Sequence, residues 1–186
     1  MTNLLNPNKY RYNEQSTKYI RNTITSWISE LNTNYVLTVQ FPIEKRTDDY
    51  EYSKSLLKST MKDLEYFLLG NDWYKHHIPF IAFCESSISG TYHYHIFIYD
   101  NDVKLQDMKD ALNKVFEKTG YDMHNLYLDP FFTVNTPNYC TKEIMGDKNR
   151  HFDTDRIITS FELFDIDTRY SKSQSRRARA KPKRKR

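Results

Sequence analysis

IPFIAFCE (residues 78–85) and TYHYHIFIY (residues 91–99) are two short apolar runs, rich in β-branched and aromatic residues, separated by SSISG (residues 86–90). Each run has the length of a strand rather than of a helix, and the small polar residues between them suit a reversal of the chain. The pattern predicts a β-hairpin. Side chains on a strand alternate between its two faces, so His93 and His95 project from one side, about 7 Å apart along the strand, and Tyr94 from the other.

The flanking sequence extends this hairpin into a sheet with helices. Upstream, YVLTVQFPI (35–43) is β-branched and aromatic with a proline near its end, and reads as a strand. Residues 16–32 place Ile20, Ile24, Trp27, Ile28 and Leu31 on one helical stripe. Residues 53–69 do the same with Leu57, Met61, Leu64, Phe67 and Leu68. Downstream, Asp102 can cap a third helix whose Leu105, Met108, Leu112, Val115 and Phe116 face inward and which Gly120 closes. LYLDPFFTV (126–134) reads as a short strand, and Thr136–Pro137 supplies an N-cap and first-turn proline for a helix to about Met145. RIITSFELF (156–164) suits a last strand or an appended packing segment. The predicted class is α+β, an antiparallel β-sheet flanked by helices.

The chain has 186 residues, enough for one buried domain and a tail but hardly for two domains. Its formal net charge of +4 hides a division. Lys172, Arg176, Arg177, Arg179, Lys181, Lys183, Arg184, Lys185 and Arg186 place nine basic and no acidic side chains in the last fifteen residues. The remaining 28 − 9 = 19 basic residues face 24 acidic ones, a net −5 for the body. A run of that kind cannot bury a core, so a disordered basic tail is expected; it suits a solubilising tail, phosphate attraction or nuclear import, and its attraction to polyphosphate favours nucleic acid as partner. The chain divides into an N-terminal helical extension (1–33), a globular domain (34–168) and this tail (169–186).

Two cysteines, Cys84 and Cys140, are too few for a disulfide framework, which points to a reducing compartment. The opening MTNLLNPNKYRYNEQ has no apolar run resembling a signal peptide, and no stretch approaches the length of a membrane span. A cytoplasmic location and no membrane partner are expected. Four glycines and no GxxxxGK[ST] exclude a P-loop helicase domain on this chain.

Two imidazoles on one strand face have the spacing needed to close on one metal ion, although an H-x-H pair also suits two ordinary strand residues. Further on, Tyr139 and Lys142 form Y-x-x-K in the first turns of the helix opened by Thr136–Pro137, and at a spacing of three they share a face. A phenol ordinarily titrates at about 10 and is a weak nucleophile at neutral pH. A metal and a cation beside it can bring phosphate and phenolate together, which attack on a phosphodiester requires.

Taken together, these features resemble the HUH endonuclease superfamily, over roughly residues 34–146. The strand YVLTVQF, with Thr at its centre, is similar to the family's first motif. HYH (93–95), inside E-x4-G-x2-H-x-H formed by Glu85, Gly90, His93 and His95, is similar to the second. YCTKEI (139–144) is similar to the third. Relaxases usually place the tyrosine before the histidines, whereas replication initiators and single-tyrosine transposases place it after, as here. Asn135 stands one helical turn before Tyr139, so the chain resembles a one-tyrosine rolling-circle initiator of a plasmid, virus or phage.

The resemblance implies a ferredoxin-like or RRM-like topology and a 5′-phosphotyrosine link formed by Tyr139, with Lys142 neutralising or orienting the phosphate. It also implies single-stranded or hairpin origin DNA as partner, and a host helicase and polymerase. The host cell would be bacterial, archaeal or phage-infected; in a eukaryotic host the basic tail would suit nuclear import. His93 and His95 are the implied metal ligands. The third is Glu85 if the hairpin loop is odd-membered, which turns it to the histidine face, and an even-membered loop turns it away. Glu143, four residues after Tyr139, is the rival that related transposases use; the E…G…H-x-H arrangement favours Glu85. Imidazole and carboxylate ligands suit Mg²⁺ or Mn²⁺. Zinc held by His76, His77, Cys84 and Cys140 together with the H-x-H pair lacks the usual ligand spacing, and the cysteines read as small buried residues. The competing functions are a single-tyrosine transposase and a non-catalytic nucleic-acid-binding protein using the tail and surface aromatics.

Overall fold

In the computed structural model, which describes residues 14–31, 33–73, 77–87, 89–100, 102–129, 136–141 and 156–165, stretches of strand and helix periodicity alternate along the chain. Helix α1 (Glu14–Glu30) precedes β1 (Tyr35–Gln40), and α2 (Tyr50–Leu69) leads into the hairpin of β2 (Phe80–Ser86) and β3 (Tyr92–Ile98). Then come α3 (Leu105–Thr119), β4 (Leu126–Asp129) and a short α4 (Thr136–Cys140). Finally β5 (Ile157–Thr159) runs directly into α5 (Ser160–Phe164). The strands form one sheet in the order β4-β1-β3-β2-β5, each neighbouring pair antiparallel. The segment β1–α2–β2–β3–α3–β4 has the ferredoxin-like split βαβ connectivity. The α+β sheet flanked by helices is thus present, and β5 widens it beyond β2. Among the described residues no helix is long and apolar enough to cross a membrane.

Alternation gives the sheet two different faces. On one, Leu37, Val39, Ala82, Cys84, Tyr94 and Ile96 meet Leu57, Met61 and Leu64 of α2 and Met108, Leu112 and Val115 of α3 in the main core. On the other, Val36, Ile81, Phe83 and Phe97 meet Ile28 of α1 and Cys140 of α4 in a smaller core. The two cysteines are buried, as their apolar character requires, on opposite faces. Tyr94 is fully buried; its hydroxyl lies 2.9 Å from Ser53 Oγ of α2, and burial pushes its phenol pKa up.

Several local details differ from the sequence expectation. The third helix begins at Leu105 with Lys104 in the capping position and no side-chain cap. Asp102 instead donates its backbone N–H to Asp100 Oδ1 (2.9 Å), a local turn that takes it out of the cap. A side-chain cap does open α2, where Tyr52 N–H donates to Asp49 Oδ1 (3.0 Å). Gly120 closes α3 in the left-handed conformation, φ 72°. The first strand stops at Gln40, because Pro42 offers no ladder donor and Ile43–Lys45 coil into a single 3₁₀ turn. On α1, Ile28 is buried and Ile24 and Leu31 pack beside it, but Trp27 is exposed. One small core covers a narrow stripe, and a residue about 100° round the helix from Ile28 falls outside it. RIITSFELF is both of its alternatives in succession, a strand and then a helix capped by Thr159, which accepts the Glu162 N–H (3.2 Å). Residues 130–134, and 142–145 of the fourth helix as predicted, lie outside the described residues.

Tyr94→Phe removes one hydroxyl from the main core and leaves Ser53 without that partner. The expected loss is about 1 kcal/mol of stability, read as a lower urea midpoint at unchanged m-value. An unchanged midpoint would show that the pair contributes nothing.

Candidate metal centre and nucleophile

The hairpin decides where Glu85 points. β2 and β3 pair with Glu85 directly opposite His93 and Phe83 opposite His95. Directly opposed residues of an antiparallel pair share a face, so the carboxylate stands with the imidazoles. The loop has the odd parity that the sequence left open. Its closure is polar: Thr91 N–H donates to Ser87 Oγ (3.2 Å) and Ser87 N–H to the Thr91 carbonyl (2.8 Å).

Glu85 Oε2 lies 3.3 Å from His93 Nε2 and 3.5 Å from His95 Nε2, and one ligand atom from each of the three residues lies within 4.8 Å of the others. These separations are long for hydrogen bonds. They match the roughly 3.0–3.5 Å between neighbouring ligands bonded at about 2.1 Å to one ion. The Glu85 side chain is 2% exposed, that of His95 12% and that of His93 21%, so the cluster opens to solvent on the His93 side. His95 Nε2 is buried and makes no hydrogen bond among the described residues. A buried polar atom with no hydrogen-bond partner, aimed at a carboxylate and a second imidazole, fits a cation ligand. The donor set is therefore able to hold a divalent ion.

Thr38, the central residue of β1, pairs with His95 across the ladder, and its Oγ1 lies 3.1 Å from His95 Nδ1. With the proton on Nδ1 and donated to Thr38, the Nε2 lone pair is left to face the cluster. An outer partner of this kind sets the tautomer and orientation of a ligating histidine. The threonine that the sequence marked as a motif centre thus meets His95 directly.

Tyr139 comes to the same place from α4. Its ring packs edge-on to His95, with centroids 5.8 Å apart at 83°, and the residue is 56% exposed. Tyr94, between the two histidines, is buried on the opposite face and cannot reach the cluster. What seats α4 is α1. Besides the Ile28–Cys140 packing, Arg21 Nε donates to Thr141 Oγ1 (3.3 Å), while Thr141 Oγ1 donates to the Pro137 carbonyl (2.7 Å). Arg21 and Thr141 are 120 positions apart, and no local spacing signals that they meet.

His77 belongs to another arrangement. Its Nδ1 lies 3.2 Å from both carboxylate oxygens of the buried Glu65, and its ring stacks on Phe164. With Cys84 and Cys140 on opposite sides of the sheet, the described part of the zinc alternative does not assemble. Lys142, Glu143, His76, Asn135 and the basic residues Lys172, Arg176, Arg177, Arg179, Lys181, Lys183, Arg184, Lys185 and Arg186 lie outside the described residues.

Comparison of the chain with protein families, with curated proteins and with solved structures finds no match.

Binding of Mn²⁺ by the full chain, followed as loss of the free-ion EPR signal, tests the centre apart from any reaction. His93→Ala, His95→Ala and Glu85→Gln should each weaken binding at least tenfold, while Glu143→Ala leaves it unchanged. Thr38→Val, which conserves volume but removes the partner of Nδ1, should weaken it about ten- to a hundredfold. Wild-type affinity in both histidine variants rules the centre out.

Proposed function

We propose that this chain is a metal-dependent endonuclease of the HUH type, which nicks single-stranded or hairpin origin DNA through Tyr139 to initiate rolling-circle replication. The observation that carries the reading is one juxtaposition. A carboxylate and two imidazoles at cation-ligand spacing share a sheet face with an exposed tyrosine whose ring lies against one of the imidazoles.

Glu85, His93 and His95 would hold Mg²⁺ or Mn²⁺, which supplies polarisation of a phosphoryl oxygen and neutralisation of charge that builds up there. Tyr139 Oη attacks phosphorus in line. An Oη–P bond forms, the bond from phosphorus to the 3′ oxygen breaks, and the phenolic proton ends on the departing oxygen. The products are a 5′-phosphotyrosine and a 3′-OH, which a host polymerase can extend. One phosphodiester has replaced another, so the reverse transfer can rejoin ends without ATP. Lys142, three residues beyond Tyr139, neutralises or orients the phosphate. A host helicase would supply the unwinding.

Charge and chemistry occupy different parts of the chain. The body carries a net −5, so long-range attraction to DNA falls to Lys172–Arg186.

After incubation with labelled single-stranded and hairpin oligonucleotides and Mn²⁺, the wild-type chain should carry a covalent 5′-linked fragment on Tyr139. Tyr139→Phe should bind as well and yield no adduct; an adduct that persists, or maps to another tyrosine, would sink the assignment.

Deleting residues 172–186 should weaken binding at low salt and make the salt dependence shallower, by about 0.7 in log–log slope for each phosphate that the tail had neutralised. Nicking at saturating DNA should be nearly unchanged. If truncation removes nicking and spares the salt slope, the tail belongs to the active site.

A further inference from the structure

β4 lies at the edge of the sheet beside β1, and its alternation is simple. Leu126 is buried in the main core and Leu128 packs against it, so Tyr127 between them points to the opposite face. That is the face of the metal centre. Tyr127 pairs with Thr38, and Thr38 pairs with His95, which sets Tyr127, Thr38 and His95 in one row across three strands.

Tyr127 is 60% exposed, and among the described residues its side chain has no ring, cation or hydrogen-bond partner. The floor beside it is open as well. Gln40, the next residue of β1 on this face, is exposed and lies opposite His93. The helices of this face, α1 and α4, cover the other end, where Ile28 and Cys140 pack on Val36, Phe97 and Ile81. Among the described residues an uncovered strip therefore runs from an exposed phenol ring, past Gln40, to His93. Its length is two strand spacings of about 4.8 Å each, roughly 10 Å. That is about three nucleotide steps at a stacked rise of about 3.4 Å.

We infer that Tyr127 is a stacking platform for a nucleobase of the strand whose scissile phosphate lies at the metal centre, an inference that rests on the proposed nicking activity for the placing of that phosphate. A phenol ring on a residue 60% exposed can stack on any base, because every base has a π-face. The electrostatics point the same way. A body of net −5 attracts the DNA backbone little at long range, whereas stacking adds affinity that salt does not screen. Tyr127 and the tail then divide the work, one holding a base beside the reacting phosphate and the other attracting the backbone.

The test uses the full chain and a dye-labelled dT oligonucleotide, with binding read by fluorescence anisotropy over a range of salt. Tyr127→Ala should weaken binding about ten- to a hundredfold with the salt slope unchanged, whereas tail truncation changes the slope. Tyr127→Phe and Tyr127→Trp should bind as the wild type does. All three substitutions lie on an exposed position and should leave the thermal midpoint in place. Wild-type affinity in Tyr127→Ala overturns the inference, as does an equal loss in Tyr127→Phe. So does a wild-type chain that sediments as a dimer while Tyr127→Ala sediments as a monomer, which would make the ring an edge-strand contact between copies of the chain. The Tyr139 adduct, assayed in the same samples, separates the two ideas. Adduct formation with no dependence of binding on Tyr127 removes the platform alone. Binding that depends on Tyr127 with no adduct on any oligonucleotide keeps the platform and removes the nuclease.

Discussion

The pairing of Glu85 with His93 across the β2–β3 hairpin is the constraint on which the site depends. Side chains in a strand have a period of two, so a slip of one residue would send the carboxylate into the main core and leave the histidines alone on their face. Such a slip would also drive Phe80, Ala82 and Cys84 out of the core they fill. The burial of one face therefore holds the Glu85–His93–His95 arrangement of the other. The hydrophobic core acts here as the device that sets a register.

The same alternation separates the tyrosines by role. Tyr94 is anchored under α2 by Ser53, where burial disfavours its anion. Tyr139 stands half in solvent against His95, and Tyr127 stands in solvent at the sheet edge on the same face. In a chain with 15 tyrosines, residue type says little, and the face and the cover decide. Among the described residues the cover on the site face is partial, because α4 is little more than one turn and α1 packs at the end of the sheet that holds Val36 and Phe97. That partial cover shields Phe83 and Phe97 and leaves the edge with Gln40, His93 and Tyr127 accessible.

Helix α1 has a larger part than an appendage to the sheet would. Through Ile28 it completes the smaller core, and through Arg21 and Thr141 it meets the helix that carries Tyr139. A five-residue helix has too few internal hydrogen bonds to hold its own direction. Its position is set by what it packs on. The distance between Tyr139 and the histidine cluster is thus a property of α1 as much as of α4.

Much of this was legible in the sequence, for a physical reason. Periods of 2 and 3.6 are local, so the strands of 35–40, 80–86 and 92–98 and the helices of 50–69 and 105–119 announce themselves in the spacing of Leu, Ile, Phe and Met. The projection of His93 and His95 from one face follows from the same local rule, and so does the placing of Tyr139 on a helix opened by Thr136–Pro137. What the sequence left open depended on partners distant in the chain. The side taken by Glu85 required the loop parity, which is settled by pairing along the whole hairpin. The exposure of Trp27 beside the buried Ile28 required knowing how little of α1 the sheet could cover. The failure of Asp102 to cap α3 required the competing turn at Asp100. The row of Tyr127, Thr38 and His95 and the meeting of Arg21 with Thr141 exist only once strands and helices far apart in sequence are brought together. Tertiary structure decides such contacts because they arise from the summed packing of two faces, and no single segment carries that sum.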